Sequence, residues 1–174
     1  WQYLDVHSNV SSQLFRSPGV FNDAAHKNGV LTGAYYFIDW ASTVSSTSEA
    51  GKPLYELSKK ENGKFKYAKK LIQLMKYYGI DGMAFNPEGY FSSDLNTQFQ
   101  EFLAECHRIA TEEEDWHFHV DWYGYVSNSG SLTDGGSTLT ANHSNWFHND
   151  NLDQPVTDVY FLNYNWSESS LQTS

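Results

Sequence analysis

Apolar residues in this chain fall into two alternating patterns, short unbroken runs and stripes stepping by three or four, and the alternation predicts strands separated by helices. Trp1 to His7 is aromatic and β-friendly and runs into a polar loop, Ser8 to Arg16. Ser17-Pro18 predicts a helix start, with Ser as cap and Pro in the first turn; Val20, Phe21, Ala24 and Ala25 form its stripe until Asn28-Gly29 stops it. Val30 to Asp39 is almost continuously apolar, the pattern of a strand buried on both faces in a parallel sheet. Ala41 to Lys52 is rich in Ser and Thr and reads as a long loop, a candidate rim for a site. From Lys64 to Tyr78, the positions Phe65, Ala68, Leu71, Ile72, Met75 and Tyr78 predict an amphipathic helix that Gly79 ends. A third strand follows from Ile80, and Asp94 to Ala110 repeats the helical stripe through Leu95, Phe99, Phe102, Leu103, Cys106 and Ile109. Glu112 to Asp115 reads as a solvated acidic turn, Trp116 to Tyr123 as a fourth strand, and Leu139 to Phe147 as a short helix. Val156 to Tyr164 is a fifth strand, and Ser167-Glu168 opens a further helix.

Strand and helix thus alternate throughout, which predicts an α/β chain with parallel strands and right-handed crossovers. A doubly wound sheet shares this alternation, but no Gly-rich phosphate loop follows the first strand. Polar and aromatic residues instead collect at the carboxyl ends of four strands: Asp39 and Trp40, Asn86 and Glu88, Asp121 to Tyr123, and Asn163 to Trp166. That distribution predicts a (β/α)8 barrel of the TIM type, with a site at its top face and this chain supplying about the first five βα units. Residues 1–174 are read as one partial catalytic barrel domain. The chain opens inside one strand and stops just after another, the pattern of a piece of a larger protein, with any export signal outside it.

Composition narrows the partners. A formal net charge of -10 leaves no basic footprint for nucleic acid. No apolar run reaches the ~20 residues of a membrane span. Aromatic residues make up 17%, with Trp 6 and Tyr 12, and their flat faces with polar edges suit sugar rings. The single cysteine, Cys106, excludes an internal disulfide and a Cys-based zinc site and reads as a small core residue. His117 and His119 share a predicted strand face but lack a third ligand, so no metal and no cofactor is expected.

The chemistry concentrates in Ile80 to Tyr90. In a strand, Ala84, Asn86 and Glu88 point one way while Met83 and Phe85 point the other. Glycosidic cleavage ordinarily uses two carboxyl groups, and this strand end offers only Glu88. A 2-acetamido sugar can supply its own nucleophile, the amide oxygen attacking the anomeric carbon to give an oxazoline. The protein then needs an acid/base, for which Glu88 is the candidate, and a group to hold the acetamide, for which Asn86 is. Tyr123 stands at another strand end, placed to brace the acetamide from the other side.

Asp81-Gly82-Met83-Ala84-Phe85-Asn86-Pro87-Glu88 lies on the Asp-Gly-x-Asp-x-Asp-x-Glu frame of family 18 chitinase-like hydrolases, with Ala84 and Asn86 in place of two aspartates. Asn two residues before Glu resembles glycoside hydrolase family 85, the endo-β-N-acetylglucosaminidases that cut between the two core N-acetylglucosamines of N-glycans. Trp1 to Asp5, Asn22 to Val30, Trp122-Tyr123 and Phe161 to Trp166 resemble that family's segments in the same order. The resemblance implies Glu88 as acid/base, Asn86 as acetamide-orienting residue, Tyr123 as supporting hydroxyl and Trp166 as an aromatic wall; Trp40, Trp122 and Asn163 complete the candidate substrate contacts. Gly124 departs from the Asp that commonly follows Trp-Tyr in the family, and Ser127 to Ser137 lacks an expected Trp. The implied function is retaining, substrate-assisted cleavage of an N-glycan or glycoprotein. The protein is expected to be secreted or cell-surface and bacterial, with a cytoplasmic location as the alternative. A non-catalytic carbohydrate-binding barrel and a family 18-like chitinase are the alternatives.

Overall fold

The computed structural model describes residues 1–9, 15–38, 43–132, 140–162, 164 and 167–169. Five parallel strands form its sheet: β1 (Val6–Asn9), β2 (Leu31–Ile38), β5 (Gly82–Pro87), β6 (His119–Tyr123) and β7 (Val159–Phe161), hydrogen-bonded in that order. Sequence order equals spatial order, with each strand laid beside the last, as in one side of a barrel. Between the strands run the helices α1 (Gly19–Lys27), α2 (Lys52–Leu57), α3 (Ala68–Tyr78) and α4 (Ser93–Arg108).

Local chemistry explains most boundaries. Gly79 takes a left-handed conformation, φ 64°, so α3 stops where the stripe predicted and β5 begins three residues later. α3 nevertheless starts at Ala68 rather than Lys64, because β3 (Lys60–Glu61) and β4 (Lys64–Phe65) pair as a small hairpin. Its turn is Asn62-Gly63, both at positive φ, the residue pair best suited to a two-residue hairpin. The loop expected over Ala41 to Lys52 gives way at Lys52 to α2, with Pro53 in its first turn. α1 begins after Pro18, and Ser17 donates to the side chain of Asn22 instead of capping a backbone amide.

The acidic run is not a free solvated turn. Ile109–Glu113 continues α4 as a π-helical turn, from which Glu113 meets Lys69 and Arg108, and Glu114 meets Gln73. These contacts strap α4 to α3. The fourth strand starts at His119, not Trp116; His117 lies exposed outside it, so the two histidines do not share a strand face. Leu139 to Phe147 contains a 3-10 helix, Ala141–Trp146.

The core lies between the sheet and its helices. Ala34 and Ile38 of β2, Met83 and Phe85 of β5 and Val120 and Trp122 of β6 pack with Leu71, Ile72 and Met75 of α3 and Leu95, Phe99, Phe102, Leu103 and Cys106 of α4. Phe85 meets Phe99 edge to face at 5.2 Å and Trp122 at 6.0 Å. Each such fully buried side chain contributes on the order of 2 kcal/mol by removal from water. This apolar layer fixes the strand register, and a slip of one residue would exchange Phe85 for Asn86.

Candidate active site

Register decides which side chains meet on the other face of the sheet. Tyr35 lies beside Ala84, and Phe37 beside Asn86, across β2 and β5. Ala84 lies beside Asp121 across β5 and β6. Alternation therefore sets Tyr35, Asn86, Glu88 and Tyr123 together near the carboxyl edge. The Glu88 amide donates to the Ile38 carbonyl at 3.1 Å, which anchors the carboxylate-bearing residue just past the strand end.

Asn86 and Glu88 point the same way: Asn86 Nδ2 donates to Glu88 Oε1 at 3.2 Å. Asn86 Oδ1 is buried and without a hydrogen-bond partner. The amide group is thus held by its nitrogen with its acceptor oxygen uncommitted, and a buried acceptor left this way costs on the order of 1–3 kcal/mol until a donor reaches it. Burial raises the Tyr35 phenol pKa; a hydrogen bond with the Asn86 side chain opposes this, and the nearby Glu88 charge adds to it. Burial also raises the Tyr123 phenol, followed by the Glu88 charge and by Tyr125, Tyr164 and Tyr35. The Glu88 carboxylate therefore acts on both phenols, which stay protonated and able to donate near neutral pH.

The structure brings Asn86, Glu88 and Tyr123 together and adds Tyr35. Tyr35 was missed because it sits in the run Tyr35-Tyr36-Phe37, where all three residues are aromatic; pairing with Ala84 distinguishes it from Tyr36, which packs on Phe85 instead. Tyr164 is fully exposed at the same edge. Trp40, Asn163 and Trp166 lie outside the described residues.

Trp122 is a correction. It is 0% exposed and stacks on Trp146 at 3.8 Å and 13°, on the helix-facing side, so it cannot touch a substrate lying against Asn86. Adjacent strand residues point to opposite faces, so Tyr123 and Trp122 cannot both line one site. Below the site, His119 lies across glycines: a Cβ on Gly82 would come within 2.4 Å of its ring. Asp121 is buried beside it, and desolvation followed by the Asp158 charge raises its carboxyl to about 6. Among the described residues, no group of three or more His, Cys, Asp or Glu is arranged to hold a metal ion.

A parallel half-barrel whose carboxyl edge joins one carboxylate, one amide and flanking phenols has the layout of a glycosidase barrel. The family model for glycosyl hydrolase family 85 matches residues 1–174, and the chain belongs to that family. Its curated relatives include the cytosolic endo-beta-N-acetylglucosaminidase of Danio rerio, 28% identical over 99% of this chain and 22% of that protein. The Mus musculus protein of the same description is 27% identical, again over 99% and 22%. Among solved structures, the glycoside hydrolase domain of Endo-D from Streptococcus pneumoniae R6 superposes with a TM-score of 0.80 at 25% identity. The match covers 98% of this chain and 26% of that one, and it establishes the TIM-barrel type. The chain thus spans roughly a quarter of the length of these relatives. The curated relatives overturn the expectation of a secreted or cell-surface bacterial protein, since they are described as cytosolic and come from vertebrates.

Proposed function

We propose that the protein carrying this chain is an endo-β-N-acetylglucosaminidase that cleaves between the two core N-acetylglucosamines of N-glycans or glycoproteins, with the substrate's acetamide as nucleophile. The observation behind this is the Asn86–Glu88 pair: one carboxylate, and beside it a buried amide whose oxygen has no partner. Protonated Glu88 gives its proton to the glycosidic oxygen as the C1–O bond breaks. The acetamide carbonyl oxygen bonds to C1 from the opposite face, and positive charge spreads into the resulting ring. Asn86 Oδ1 accepts the hydrogen bond of the acetamide N–H, which strengthens as that charge grows. The Tyr123 hydroxyl braces the acetamide. Glu88, now a carboxylate, takes a proton from water as its oxygen attacks C1 and reopens the ring. Two displacements at C1 retain its configuration, and residues 1–174 serve as the first part of one catalytic barrel.

The test is Glu88→Gln in the intact protein, assayed on a glycan with a chitobiose core. General acid and base work accounts for about 10²- to 10⁴-fold in rate, so turnover should fall by about 10³-fold with thermal stability unchanged. Unchanged turnover would sink the assignment. Glycan retained without cleavage by the unsubstituted protein would favour a carbohydrate-binding barrel instead.

A further inference from the structure

We infer that Tyr125 is a positioning residue for Tyr123, brought to it by a turn whose centre, Gly124, has no room for a side chain. The inference rests on the proposed role of Tyr123 and deepens it. Tyr123 ends β6, where little of the strand ladder remains to fix its side chain. Two rings do so: Phe161, its cross-strand neighbour on β7, stacks at 5.4 Å and 25°, and Tyr125 stacks at 5.8 Å and 13°. In a continuing strand, Tyr125 would lie further along the same face. Here the Tyr125 amide donates to the Tyr123 carbonyl at 2.8 Å, and the tight turn folds one ring back onto the other. The Gly124 amide donates to the Phe161 carbonyl at 3.1 Å, which ties the turn to β7.

Gly124 leaves no room for a side chain, and the packing supplies the reason. A Cβ there would fall 1.9 Å from Tyr160 Cε1 and 2.3 Å from its hydroxyl. Tyr160 cannot swing aside easily, since it packs on Phe147 at 4.8 Å and lies opposite Trp122 in the sheet. Tyr160, Gly124 and Tyr125 therefore form one arrangement, in which the space of a side chain at 124 goes to a phenol and a stacked ring holds Tyr123.

In the intact protein, Tyr125→Ala should lower kcat about tenfold on a chitobiose-core glycan while KM shifts less than twofold, since small misplacements of a positioned group are costly in rate. Tyr125→Phe keeps the ring and should stay within twofold; Tyr125→Leu keeps apolar bulk without stacking and should behave like Tyr125→Ala. With Tyr123→Phe in the background, Tyr125→Ala should add less than twofold. Additive losses, or wild-type kcat in Tyr125→Ala beside an inactive Glu88→Gln, would overturn the inference and leave the proposed function intact. A fluorotyrosine at 123 reads the same point without catalysis: its ¹⁹F signal should broaden or shift in Tyr125→Ala and hold in Tyr125→Phe, whereas an unmoved signal in Tyr125→Ala refutes the stack.

Discussion

The two faces of β5 follow opposite rules. Toward the helices, Met83 and Phe85 are fully buried among Phe99, Trp122 and the stripes of α3 and α4. Toward the barrel interior, Ala84, Asn86 and Glu88 meet phenols and a buried carboxyl, and Asn86 Oδ1 itself has no partner. One strand and the residue just past its end thus hold the site with one side and keep it unsatisfied with the other. Stability gained on the helix side allows polar atoms inside to wait for a substrate, and local rules are broken where function requires it.

The largest effect should come from breaking the packed face. Phe85→Ala removes a ring contacting Phe99, Trp122 and Tyr36, and should cost about 3–5 kcal/mol in denaturant unfolding of the intact protein. A loss below about 1 kcal/mol would mean that this face does not carry the strand. A smaller effect, of opposite sign, belongs inside. Asp121 keeps its proton up to about pH 6 in the folded chain, against an ordinary value of 3.8. As pH rises from 4 to 6, the folded state must ionise a buried carboxyl that the unfolded chain ionises earlier, so stability falls through that window and the penalty is complete above it. Asp121→Asn should therefore gain roughly 1–3 kcal/mol relative to the natural residue at pH 7.5, with the gain shrinking toward pH 4. Unfolding curves at the two pH values decide it, and a difference that does not vary with pH would rule out the buried charge.

Much of this contrast was legible in the chain. A period of two put Asn86 and Glu88 on one face, and the stripes of α3 and α4 placed the helices that cover the other. The Trp122 assignment went wrong by grouping neighbours in sequence, although the alternation that correctly separated Phe85 from Asn86 also separates Trp122 from Tyr123. Tyr35 was hidden because an all-aromatic run carries no period; only its pairing with β5 sorts inward from outward. Asn62-Gly63 was a readable hairpin signal, masked by apolar residues that also fit a helix starting at Lys64. Gly124 looked like a missing group, and only the position of Tyr160, 36 residues further on, accounts for the vacant side chain.

The inner face matters most through Asn86, and one comparison of rates addresses it. Asn86→Ala in the intact protein should lower hydrolysis of a chitobiose-core glycan about 10²- to 10³-fold, the scale for one group that stabilises developing charge. Transfer from a preformed oxazoline donor, in which the ring is already closed, should fall less than about tenfold on the same scale. Unequal losses of that kind are the predicted result; equal losses on both substrates would contradict the claim that Asn86 holds the acetamide while the substrate acts as its own nucleophile.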